Sequence, residues 1–95
     1  MPPITRIGDN GTGHGCYPAR PSIGGSPNVY VNSIPVVRQG DPYDTHCCGS
    51  SCHGGNLASG SSIVYVNGLQ LGRIGDPISC GSSVAVGSPN TYAGP

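Results

Sequence analysis

Short runs of alternating apolar and polar residues recur three times along the chain and predict short β-strands. They read Gly-Ser-Pro-Asn-Val-Tyr-Val-Asn over 25–32, Gly-Ser-Ser-Ile-Val-Tyr-Val-Asn over 60–67 and the shorter Gly-Ser-Pro-Asn-Thr-Tyr over 87–92. β-branched residues in a period of two favour half-buried strands. In the second copy Asn67-Gly68 separates Ile63–Val66 from Leu69–Leu71, and Asn-Gly is the strongest short signal for a hairpin.

A second motif, Arg-x-Gly-Asp, alternates with these runs at 6–9, 38–41 and 73–76. We expect its glycine to take a positive φ and its aspartate to accept backbone N–H groups in a tight turn. The alternative is an ion pair from each arginine to an aspartate, for example that of a neighbouring repeat. The alternation predicts one domain, 1–95, built from three repeats at approximately 4–32, 33–67 and 68–95.

The two ends of the chain are each incomplete as repeats. The third copy has only its first strand, and the segment 3–7 has no strand to pair with. We therefore expect the N-terminal strand to pair with the C-terminal strand around Tyr92, which closes a three-fold arrangement and leaves no open edge. The predicted fold class is all-β, made of short strands and hairpins with pseudo-three-fold internal repeats and no substantial helix.

Composition supports this class and limits the partners. The 95 residues include 17 Gly and 10 Pro, which disfavour helix, while Leu, Ile and Val total 18 and Phe and Trp are absent. So small an apolar content predicts that the fold needs a stabilising element besides hydrophobic burial. Four Arg balance four Asp without any Lys or Glu, which argues against disorder and against nucleic-acid binding.

The sequence shows no apolar run that resembles a signal peptide or a bilayer span. We therefore expect synthesis in the cytosol, where thiols tend to stay reduced. Metal binding is the first interpretation of the five cysteines and three histidines.

One soft ligand follows each Arg-x-Gly-Asp corner. His14 and His46 lie five residues after Asp9 and Asp41, and Cys80 lies four residues after Asp76. Around a pseudo-three-fold axis these side chains would converge, and a fourth ligand is needed from the segment 43–55, which we expect to be a long loop. The predicted set is His14, His46, His53 and Cys80, a combination that suits one Zn²⁺. Four protein ligands make a closed, structural site.

The other cysteines leave alternatives open. Cys52 or Cys16 could replace one histidine in the metal site. Cys16, Cys47, Cys48 and Cys52 could instead form two disulfides if the protein ends up outside the cell, and sequence alone does not choose their pairing.

The corners, the strand motifs, Gly13-His14-Gly15-Cys16 and Cys80-Gly81 together resemble the PAAR-repeat family. The resemblance extends from Ile4 to about Tyr92, although Pro-Val-Val-Arg and Leu-Gly-Arg stand here before two corners in place of Pro-Ala-Ala-Arg. It implies a small conical β-protein with a zinc near its apex, held by the same three histidines and one cysteine. It also implies a structural role and no enzymatic activity.

The resemblance implies a partner as well. Members cap the blunt end of a trimeric β-helical spike, one copy per trimer, in contractile phage tails or in type VI secretion systems, and sharpen it for piercing a cell envelope. We expect a phage tail baseplate in a virion, with secretion as the alternative, transient contact with a target membrane, and any effector cargo bound non-covalently. Two rivals are a disulfide-stapled secreted binding module and a small zinc enzyme such as a deaminase, which would need a glutamate that is absent.

Overall fold

The computed structural model describes residues 1–95 and consists of strands and turns without a helix, which confirms the predicted fold class. No segment therefore forms a helix that could cross a bilayer. The six strands form three separate antiparallel hairpins, each of two strands. They are β1 (Tyr30–Val31) with β2 (Ile34–Pro35), β3 (Pro42–Cys48) with β4 (Ser51–Asn56), and β5 (Tyr65–Val66) with β6 (Leu69–Gln70).

The hairpin β5–β6 turns as the sequence predicts, and β1–β2 turns in the same way, although the strands are only two residues long. Asn67 and Gly68 have φ values of 54° and 79°, as a type I′ turn requires. Asn32 and Ser33 take the same place in the first hairpin, with φ values of 55° and 65°. The predicted strand Ile63–Val66 is shorter than expected because the N–H groups of Ile63 and Val64 bond to a serine side chain.

The expectation of a long loop over 43–55 is wrong. This segment forms β3 and β4, the longest hairpin in the molecule. The strand pairing is irregular between Tyr43 and His46, and Gly49 reverses the chain with a φ of 62°. Histidine and cysteine fill positions where strands usually carry valine or isoleucine, so apolar periodicity gave no signal.

The Arg-x-Gly-Asp corners share one geometry. Gly8, Gly40 and Gly75 have φ values of 92°, 92° and 93°, as predicted. In each corner the aspartate accepts the backbone N–H of the arginine three residues earlier, at 2.7 to 2.9 Å. It also receives a two-pronged bond from the same guanidinium. The pairing is thus within a corner, not with a neighbouring repeat.

Backbone bridges join the three corners into a closed ring. In each case an arginine pairs with the residue two positions before the next corner's arginine. The bridged pairs are Arg6 with Val36, Arg38 with Leu71, and Arg73 with Ile4. Pro3 also bridges Tyr92, and the Ile4 N–H donates to the Thr91 carbonyl at 2.9 Å, so the predicted pairing of the two ends is confirmed.

A ring of polar side chains repeats this three-fold order. In each repeat a buried serine accepts two N–H groups from the following turn and donates its hydroxyl to an oxygen of another repeat. Ser26 donates to Asn67 Oδ1, Ser88 to Asn32 Oδ1, and Ser61 to the Gly94 carbonyl. The same three oxygens accept Nη1 of Arg38, Arg6 and Arg73. The Gly94 carbonyl therefore does in the third repeat what an asparagine does in the other two.

Apolar burial is divided between two small clusters. The first cluster packs beneath β1–β2, β5–β6 and the chain ends: Ile4, Val36, Val66, Leu71 and Ala93. The second cluster contains Val37, Tyr43, Leu57, Ile78 and Val84, and Cys80 packs against it. The molecule measures 38 × 24 × 21 Å, and the candidate site lies beside the second cluster.

Candidate metal centre

His46 and His53 are brought together by the β3–β4 hairpin. They are direct cross-strand partners and so project from the same face. Their Nε2 atoms lie 2.9 Å apart, and His46 is 4% exposed.

His14 reaches the same point from a different segment. It begins a tight turn over 14–17, in which His14 and Tyr17 exchange two backbone hydrogen bonds and Gly15 has a φ of 56°. The turn aims the imidazole at the hairpin, with His14 Nε2 3.1 Å from His53 Nε2.

Cys80 completes the group from a fourth segment. The bridge between Pro77 and Ser83 and the positive φ of Gly81 fold residues 77–83 into a turn that carries the thiol. This turn approaches β4 at Gly55, where an added Cβ would stand 3.0 Å from both Cβ and Sγ of Cys80. The approach therefore depends on the absence of a side chain at position 55.

The four ligand atoms lie within 4.8 Å of one another. A tetrahedral ion with metal–nitrogen bonds of about 2.05 Å places its nitrogens about 3.3 Å apart, and the two histidine separations of 2.9 and 3.1 Å are close to that value. The predicted residues His14, His46, His53 and Cys80 are thus all brought together and can hold one metal ion. Four protein ligands leave no open position for a substrate.

The protonation states suit a cation. His46 Nδ1 lies 2.8 Å from the Pro18 carbonyl, which can only accept, so Nδ1 carries the proton and Nε2 presents its lone pair. Desolvation, followed by repulsion from His46 and His14, lowers the pKa of His53 and favours its neutral form. These are the forms in which imidazole binds metals.

Tyr17 covers the three histidines, a role that sequence reasoning missed. Its ring centroid lies 4.9, 4.9 and 4.3 Å from those of His14, His46 and His53, and its hydroxyl lies 2.9 Å from Ser51 Oγ. The only feature of the sequence that could have indicated this role is the spacing of three residues between His14 and Tyr17, because a tight turn brings residues so spaced close together. The role of the Pro18 carbonyl could not be predicted from the sequence, because every residue has a backbone carbonyl.

The structure pairs four of the five cysteines and thereby resolves the alternatives. Cys16 bonds to Cys48 and Cys47 bonds to Cys52, while Cys80 keeps a free thiol. The disulfide cysteines are not available as substitute ligands in this form. The expectation that a reducing compartment leaves the thiols free does not describe this structure, because the β3–β4 register places Cys47 directly opposite Cys52.

The fold and the site together define a class: a small helix-free β-protein in which three internal repeats close into a ring beside one potential metal site. Comparison with known families is more specific. The family model described as PAAR motif matches residues 12–86, most of the chain. The chain therefore belongs to the PAAR motif family. No curated protein matches it.

Proposed function

We propose that this protein is a structural tip that caps the blunt end of a trimeric β-helical spike and sharpens it for piercing a cell envelope. The observation that carries the proposal is the closed ring of three corners within one chain. A single copy with an approximate three-fold face can meet three equivalent patches of a trimer, which a protein without repeats cannot do. Membership of the PAAR motif family supports the same role.

The docking contacts that we propose are three tyrosines at equivalent positions of the repeats. Tyr30, Tyr65 and Tyr92 are 55%, 56% and 48% exposed. Each precedes a residue that belongs to, or packs against, the first cluster, and the metal site adjoins the second. Met1 and Ile63 are also exposed, at 82% and 66%, and both lie beside Gly94, two residues after Tyr92. Exposed apolar surface of this kind, with aromatic anchors, is typical of interfaces.

The metal in this proposal is one structural Zn²⁺. Three imidazoles and one thiolate in a closed tetrahedral set match zinc better than the hard cations, which prefer oxygen ligands. When bound, it would hold the turn 14–17, the β3–β4 hairpin and the turn 77–83 together. The proposal assigns no catalytic role to this site, because four protein ligands would leave no position on the ion open for a substrate.

Co-expression with a trimeric β-helical spike protein tests the docking role. We expect a complex of one chain per trimer by native mass spectrometry. Replacing the three tyrosines by alanine should weaken it by at least tenfold, whereas the exposed Ile23→Ala variant should not. Three chains per trimer, or full affinity in the triple variant, would refute the docking proposal. Genomic neighbours would distinguish a phage virion from a type VI secretion system.

A secreted binding module remains the second candidate because two disulfides are present. Disulfides and zinc do not exclude each other here, since Cys80 is the free thiol. Binding to a spike trimer is therefore the measurement that separates the two functions.

A further inference from the structure

The two disulfides connect the backbone segments that carry the three histidines. Cys16 follows His14 by two residues and bonds to Cys48 at the end of β3. Cys47 and Cys52 are the immediate neighbours of His46 and His53 and bond to each other. Three of the four candidate ligands thus belong to one covalently cross-linked unit, and only the Cys80 segment lies outside it.

The bond between Cys16 and Cys48 contributes most to this unit. The backbone hydrogen bonds of the turn 14–17 are internal, between His14 and Tyr17. Its hydrogen bonds to the hairpin come from side chains, such as Tyr17 to Ser51. The disulfide joins residues 32 positions apart, with a Cα–Cα distance of 5.4 Å, and adds a covalent link to side-chain contacts that are each broken easily.

The bond between Cys47 and Cys52 adds less. These residues are already paired across the hairpin, their separation is only five residues, and the adjacent pair of His46 and His53 is aligned by the same ladder. This disulfide closes a short loop whose ends are held together by backbone hydrogen bonds, so it removes little further freedom.

We propose that oxidation of Cys16 and Cys48 sets the affinity of the metal centre, by fixing the His14 turn against the hairpin before the ion binds. The two thiols lose two protons and two electrons to a small disulfide oxidant such as oxidised glutathione, which leaves as two thiols. Cys80 has no disulfide partner in the structure and remains available as the fourth ligand. Reduction frees the turn, and the ion must then organise it. The inference rests on the proposed metal centre but not on the spike.

Zinc affinity in defined glutathione buffers tests the proposal. We expect the oxidised protein to compete with a colorimetric chelator for zinc about 10- to 100-fold better than the reduced protein, the range seen when groups that orient ligands are removed. Cys16→Ser with Cys48→Ser should show the lower affinity in both buffers. The matched variant, Cys47→Ser with Cys52→Ser, should keep most of the affinity and its redox dependence.

A variant in which Cys16, Cys47, Cys48 and Cys52 are serine controls for zinc binding by the thiols of the buffer, because only that effect changes its apparent affinity between the two buffers. Thiol counting at each buffer composition follows the wild-type protein directly, so the result does not depend on the folding of any variant. Equal zinc affinity in the oxidised and reduced forms would overturn the proposal and leave the metal centre intact. Absence of zinc binding in both forms would overturn the metal centre as well.

Discussion

At the scale of single residues, the site depends on groups that do not bind the metal themselves. Gly55 allows the Cys80 turn to approach β4, and the Pro18 carbonyl fixes the tautomer of His46. Such groups set the distances between ligands, and a metal centre is sensitive to displacements of a few tenths of an ångström.

The substitution Gly55→Ala should weaken zinc binding by roughly tenfold, because the new methyl group would stand 3.0 Å from Cys80 and Ile78 and push the thiol away. Chelator competition measures the change. The control is Gly54→Ala, whose methyl group meets nothing nearer than Thr45 Oγ1 at 3.6 Å. Similar affinities in the two variants would show that the Cys80 approach is not constrained at Gly55.

Tyr43 is a buried side chain whose polar group is unsatisfied. Its hydroxyl has no hydrogen-bond partner, and the nearby Thr5 hydroxyl donates to the Val86 carbonyl instead. Tyr43→Phe should therefore raise the unfolding free energy by roughly 1 kcal/mol, which corresponds to about 4–8 °C in melting temperature for a domain of this size. A lower melting temperature in the variant would contradict this account.

The same residue predicts a dependence on pH. Burial raises the pKa of Tyr43 to about 12 from its ordinary value of 10.0. Between these values the unfolded chain loses the proton while the folded protein keeps it, so the free energy of unfolding is constant below pH 10 and falls as the pH approaches 12. Urea unfolding at rising pH should show this loss in the wild type and a smaller loss in Tyr43→Phe.

Three of the four ligands could be predicted because they recur at matching positions of the repeats, and His53 was chosen from the segment 43–55 to complete the set. His14, His46 and Cys80 occupy nearly the same offset from three corners, and chance rarely produces such a pattern. Tyr17, Gly55 and Pro18 could not be predicted, since their roles arise from contacts between segments that are distant in sequence.

At the scale of elements, turn chemistry was more informative than strand patterns. Asn67-Gly68 and the Arg-x-Gly-Asp corners specify positive φ values through residue type alone, and the structure has them. The strands were predicted too long, and β3–β4 was predicted as a loop. The reason is physical: the short hairpins are defined by their turns and by hydrogen bonds to buried serines, and β3–β4 carries two disulfides, so apolar faces contribute less.

Ser33 shows where the turn chemistry is not optimal. Its φ of 65° is costly for a residue with a side chain, whereas Gly68 occupies the equivalent place in the other hairpin at 79°. Ser33→Gly should stabilise the protein by about 0.5–1 kcal/mol, and Gly68→Ser should destabilise it by a similar amount. Chemical unfolding of both variants measures the pair. Destabilisation by Ser33→Gly, or stabilisation by Gly68→Ser, would show that the two turns do not share one conformation.

At the scale of the whole molecule, the closed ring of backbone bridges compensates for a small hydrophobic core. Two clusters of five buried apolar residues are a small core for 95 residues, yet the ring of bridges and the paired chain ends leave few open edges. Three-fold closure was predictable from the repeats, but the Gly94 carbonyl that replaces the third asparagine was not, because any residue carries a carbonyl.

Metal removal should destabilise the whole domain. Binding of a structural zinc is coupled to folding, and a loss of about 4 kcal/mol would lower the melting temperature by roughly 15 °C or more. Differential scanning calorimetry before and after chelation, with metal content verified, measures it. An unchanged melting temperature in metal-free protein would mean that disulfides and packing suffice without the ion.

The central claim is that one ion sits among His14, His46, His53 and Cys80, and anomalous diffraction at the zinc absorption edge tests it most directly. The account predicts a single peak about 2.0–2.1 Å from three Nε2 atoms and about 2.3 Å from the sulfur. Crystals of protein supplied with zinc that show no peak among these four side chains, or a peak elsewhere, would contradict it.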